Sequence, residues 1–192
     1  MSIKDNLKIF YNFLKEDTWQ SWIISLILIV ILIKFIIFPS LSLITGAPLP
    51  LVVVESCSMY HSSGFESWWN SNGVKYEQFN IGKDNFSDFS FKNGINKGDI
   101  ILVYGYADYN LGDVIIFLAN TKNPIIHRKI SENPTQTEGD NNPSQLDIEK
   151  SIPDDRLLGK AVARIPYLGW IKLIFFEFSR PENQRGFCKI NR

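Results

Sequence analysis

From Trp22 to Phe38 the chain reads WIISLILIVILIKFIIF, an uninterrupted apolar run whose single charge is Lys34. Coiled as an α-helix rising about 1.5 Å per residue, it reaches about 26 Å against a hydrocarbon core of roughly 30 Å, so a modest extension at either end suffices to span it. The run is apolar on every face rather than along one stripe, which fits lipid better than the core of a soluble domain. Trp19 and Trp22 suit the interface, Lys34 can snorkel to the head groups, and Pro39 marks a kink or the exit. The run exceeds the apolar region of a signal peptide, no small-residue cleavage motif follows it directly, and the preceding segment is long and mixed in charge, so a retained anchor is expected. These features divide the chain into an N-terminal segment 1–21, an anchor 22–44 and a domain 45–178 ahead of a basic tail 179–192. Lys4, Lys8 and Lys15 precede the anchor, which places the N-terminus in the cytoplasm and the rest outside.

Composition adds exclusions. The 192 residues suit one ordinary domain with an appendage, and 20 Lys and Arg balance 20 Asp and Glu, so nothing points to nucleic acid. Cys57 and Cys188 lie far apart without metal-ligand spacing, which argues against zinc and against a disulfide framework. A bridge between them is an alternative that the spacing does not favour. Any imidazole chemistry must use His61 or His127, the only histidines.

Beyond the anchor, short β-branched runs alternate with turn residues: LPLVVVES, Asp99 to Gly105, Asp113 to Ala119, Pro124 to Ile130 and Leu157 to Ile165. Their length and punctuation predict strands, hence a mainly β domain. Residues 64–97 are aromatic and polar without a clean period. They read as an inserted subregion that packs through its aromatics, or else grips substrate or the membrane surface. Residues 165–178, IPYLGWIKLIFFEF, are apolar but short and carry Lys172. They read as a strand leading into an interfacial segment, with a second span as the alternative.

A serine hydroxyl attacks only when a base lies within reach and donors meet the developing oxyanion. Ser58 ends the strand-like run VVVESCS and precedes a loop, where a hydroxyl can project from a rigid element. His127 sits in PIIHRKI, where alternation puts it on the face of Ile125 and Lys129, opposite Arg128. EGDNNPSQLD supplies Asp140 and Asp147, either of which could hold the second imidazole nitrogen. Each piece alone is better read blandly, as a turn serine, a structural histidine and an Asx-rich loop.

In order, however, PLVVVESCSM, KGDIILVYG, LGDVIIF, IIHRKI, EGDNN and GKAVARIPYLGWIKL resemble the type I signal peptidases, in particular the endoplasmic-reticulum and archaeal branch. The resemblance covers most of the chain apart from the insert, and His127 stands where the bacterial branch has a lysine. It implies a signal-peptidase-like β domain on an N-terminal transmembrane helix, at the cell membrane with its catalytic domain outside. The implied activity is serine endopeptidase cleavage of signal peptides from exported preproteins. Its partners would be those peptides, the lipid bilayer and the protein-export machinery, and it would need no metal or cofactor. Carried over, Ser58 is the nucleophile, His127 the general base and Asp140 the acid within GDNN. Asp147 matches a further acidic position only with a loop shifted by about a residue. Ser56 and the Ser58 backbone N–H match the oxyanion donors. Cys57 replaces a small residue between the serines and reads as an apolar filler, and His61 follows where relatives often carry proline. The competing class is a non-catalytic membrane-tethered β module that binds extended peptides.

Overall fold

The computed structural model describes residues 2–119 and 123–189, so the last three positions of the basic tail lie outside the described residues. The chain separates into two compact units, residues 1–44 and 45–192.

The first unit is helical. Ser2 caps α1 (Ile3–Leu14), with Asp5 reaching back to the Ser2 N–H. After four residues, Thr18 caps α2 (Trp19–Leu32), whose helix continues through a π turn at Ile33–Ile37 into α3 (Phe38–Thr45). Pro39 therefore does not end the helix. A proline ring inside a helix crowds the carbonyl four residues back and removes one donor. Here the preceding turn is widened, with the Phe38 N–H donating to the Ile33 carbonyl five residues back, and the ring is accommodated. Trp19–Thr45 is one helix of 27 residues, long and apolar enough to cross a membrane.

The second unit is built on a six-stranded antiparallel sheet in the order β1-β2-β6-β3-β4-β5. The strands are β1 (Leu51–Val53), β2 (Ile100–Tyr104), β3 (Val114–Phe117), β4 (Ile125–Ser131), β5 (Gln136–Glu138) and β6 (Leu157–Ile165). Five of the six lie in the β-branched runs. β6 crosses the centre of the sheet because Gly159 lets its backbone approach β2: a β-carbon there would meet Val103 Cγ1 at 2.6 Å. All four residues of β3 are buried, so the sheet is covered on both faces. One face carries Val52, Val103, Val114, Ile116 and Ala161, and the other carries Ile115, Phe117 and Ile152.

Over all described residues helix exceeds strand, 39% against 17%, so the expected mainly β composition gives way to a mixed one. The helix comes from the first unit and from the insert, which folds as α4 (Phe65–Asn72), α5 (Val74–Glu77) and α6 (Lys83–Ser87). These three helices have a core of their own, in which Trp68, Trp69, Tyr76, Ile81 and Phe86 close over Ile130 of β4. Residues 165–178 form the end of β6, a turn, and the single-turn helix α7 (Trp170–Leu173). Among the described residues only Trp19–Thr45 has the length and apolarity of a span.

The tail is tied down. Cys57 and Cys188 form a disulfide across 131 residues of sequence, and Arg180 donates to both the Glu55 carboxylate and its carbonyl. Closing so long a loop restricts the unfolded chain by about 5 kcal/mol in the chain-entropy treatment. The expectation that Cys57 is a small apolar filler is thus corrected: its sulfur is half of a cystine. Its partner lies too far away in sequence for spacing to reveal the pairing.

Candidate active site

β4 sets the geometry. Successive strand side chains point to opposite faces, so His127 and Arg128 part company at once. On the His127 face stand Thr137 of β5 and Glu149, which lies in a short 3-10 turn at Asp147–Glu149. Glu149 Oε1 is hydrogen-bonded to His127 Nδ1 and accepts from the Thr137 hydroxyl at 2.9 Å, while Oε2 accepts from the Leu146 N–H at 2.9 Å. The Gln145 amide donates to the Glu149 carbonyl at 3.1 Å. The Glu149 side chain has no exposed surface and its imidazole partner is 4% exposed, so the pair is fixed and dry. A carboxylate in this position orients an imidazole and stabilises the cation formed when Nε2 accepts a proton.

Nε2 points the other way, toward Gly139. A β-carbon at Gly139 would lie 2.9 Å from Nε2 and 2.7 Å from the Asn142 amide nitrogen, so only glycine leaves the ring this room. The same Gly139–Asn142 loop holds the serine box. The Asn141 N–H donates to the Ser58 carbonyl at 2.7 Å, its side-chain amide to the Cys57 carbonyl at 3.0 Å, and the Asp140 N–H to Met59 Sδ at 3.4 Å. One loop therefore abuts the free nitrogen of His127 and carries Ser58. The Ser58 hydroxyl is half-buried and bonded to that of Ser56 at 3.1 Å, not to His127. Serine–imidazole bonds of this kind often close only when substrate is bound. On its other side the box is pinned through Glu55, which accepts from Lys172 at 2.9 Å and Arg180 at 2.7 Å, and through the cystine.

The two expected acids stand elsewhere. Asp147 faces solvent and pairs with Lys150 at 2.6 Å. Asp140 is fully buried on the Arg128 face, where it accepts from Tyr76 at 2.7 Å, from Arg128 at 3.0 and 2.8 Å, and from His61 Nε2 at 2.9 Å. Burial alone would raise its carboxyl. Arg128 beside it and the bonds from His61 and Arg128 outweigh that and hold it well below the usual carboxylate range. With four donors on two oxygens, Asp140 is a structural centre. Arg128 extends that centre by donating to the carbonyls of Ser90, Phe91 and Gly112. His61, the histidine nearest Ser58 in sequence, is spent here: it stacks on Trp68 with ring centroids 3.7 Å apart.

The insert grips the loop from behind. Lys75 Nζ donates to the carbonyls of Gly139, Asp140 and Asn142 at 3.0, 2.7 and 3.1 Å. Burial pulls this ammonium below its ordinary range, against the pull of Glu138 and Asp140. Glu138 is itself buried with Oε2 unpartnered, and burial raises its carboxyl.

Glu149 was not among the residues expected from sequence. Its one legible sign is the spacing L-x-x-E at a turn, in which a glutamate reaches back to the N–H three residues earlier. Comparison with protein-family models and with characterised proteins returns no match to this chain, so its chemistry is argued from the geometry above.

Proposed function

We propose that this protein is a membrane-anchored serine endopeptidase that removes signal peptides from exported preproteins, with Ser58 as nucleophile and His127 as general base. The observation that carries this reading is the Gly139–Asn142 loop, which holds the serine box by its backbone and lies against His127 Nε2 while Glu149 occupies Nδ1. In the proposed reaction Nε2 takes the Ser58 proton as the hydroxyl attacks the scissile carbonyl. The Ser58 N–H and the Ser56 hydroxyl meet the oxyanion, His127 returns the proton to the leaving amine, and water releases the acyl-enzyme.

The substrate route follows from the sheet. Among the described residues β1 is an edge strand, paired with β2 and with no other strand, and it runs directly into the serine box. An extended chain laid along that edge would pair by backbone bonds and present its scissile bond near Ser58. The outside orientation gains support from the cystine, since disulfides persist in oxidising compartments. Anchoring by Trp19–Thr45 would keep enzyme and preprotein in one plane of the bilayer, near the protein-export machinery. In membranes carrying a preprotein, Ser58→Ala should lower the cleavage rate by on the order of 10³-fold or more while leaving insertion intact. Cleavage by Ser58→Ala at the wild-type rate would show that Ser58 is not the nucleophile, and no cleavage by the wild type itself would leave the peptide-binding alternative.

A further inference from the structure

We propose that α1 lies in the membrane interface, with its apolar stripe seated among lipid head groups and upper acyl chains beside the entry point of the anchor. The inference rests on the reading that the helix beginning at Trp19 crosses the bilayer.

Ile3, Leu7, Phe10 and Leu14 follow one another at spacings of four, three and four residues, which on an α-helix gathers them within an arc of about 60°. No residue of α1 is buried: Ile3, Leu7 and Phe10 are 79%, 62% and 43% exposed and only Leu14, at the end of the helix, is half-buried, so most of this stripe has no protein cover. Lys4, Lys8 and Lys15 fall together on the adjoining face, with Asn12 and Asp5 beyond them. Tyr11 stands at the border, and Lys15 Nζ lies 4.4 Å from its ring centroid. An apolar face of large side chains beside lysine stems is the pattern of a helix lying in the plane of a bilayer.

The choice of lipid as occupant comes from the linker. Only Lys15 to Thr18 separate Leu14 from Trp19, and four extended residues reach at most about 14 Å. With Trp19 at the head groups, the Leu14 end of α1 is held within that distance of the surface, and the exposed apolar stripe favours laying the rest of the helix down on it. The lysines are offset by Asp5, Glu16 and Asp17, so insertion of the apolar stripe, not attraction to anionic lipid, seats the helix. It should therefore hold on zwitterionic vesicles.

The test uses the full chain in phosphatidylcholine vesicles with single cysteines bearing an environment-sensitive fluorophore. Both native cysteines are paired and leave no competing thiol. Leu7→Cys and Phe10→Cys should be quenched several-fold more by brominated lipid than Lys8→Cys and Asn12→Cys, with the order reversed for aqueous iodide. That contrast should survive tenfold dilution in lipid. Equal access of iodide to all four positions would overturn the proposal, as would shielding that vanishes on dilution, the mark of a second copy covering the stripe. Val30→Cys separates the two readings: if brominated lipid fails to quench it, the anchor itself is misread, and the inference falls with it.

Discussion

Two residues apart in one short turn, Asp147 and Glu149 face opposite ways, one into water beside Lys150 and the other onto His127. Their substitutions should diverge accordingly. Glu149→Gln should lower kcat for preprotein cleavage by about 10²- to 10⁴-fold, whereas Asp147→Asn should stay within about twofold. Single-turnover rates on both variants check this, and the reverse order would return the supporting role to Asp147. His61 gives a pH dependence. Burial lowers its pKa, opposed by Asp140, so the unfolded chain takes up the proton more readily than the folded one. Stability from this group is full above the unfolded value of about 6.5 and is lost as pH falls through the lower folded value. His61→Gln keeps an N–H for Asp140 but cannot titrate, so the drop in Tm between pH 7 and 5 should be shallower than in wild type. The sequence brought out Ser58 and His127 as candidates because one ends a strand-like run and the other sits within one, and the ordered boxes around them set both apart from a bland reading. It could not separate three acids within ten residues, since which carboxylate turns inward depends on the 3-10 turn and the Gln145 and Leu146 bonds that close it.

Among the elements, the insert illustrates what periodicity misses. Its helices are eight, four and five residues long, too short for a repeating apolar face, and their stability comes from aromatic packing onto β4. β5 escaped for a related reason: three polar residues at a sheet edge show no alternation. The β-branched runs were legible because buried strands need them. The insert also has a mechanical role, since α5 delivers Lys75 to the carbonyls of the Gly139–Asn142 loop. Lys75→Met keeps the buried stem but strips three acceptors of their donor, at a cost of about 1–3 kcal/mol for each one left unsatisfied. Cleavage should slow by about 10- to 100-fold, with partial recovery in Lys75→Arg. A Lys75→Met rate equal to wild type would show that the loop holds its shape unaided.

At the scale of the whole molecule, the chain is an apolar helical unit followed by a mixed unit, and the boundary near residue 44 follows from composition alone. What the order of residues did not disclose is how the chain's last stretch is used. Lys172 and Arg180 clasp Glu55, and Cys188 is bonded to the residue beside Ser58. This has a practical side for anyone handling the protein. A purification tag or reporter appended after residue 192 would begin five positions past Cys188, whose sulfur is bonded to the neighbour of Ser58. The same passenger fused ahead of Ser2 would join the first unit at α1 and leave the cystine's segment of the chain as it is, which favours that end for fusion.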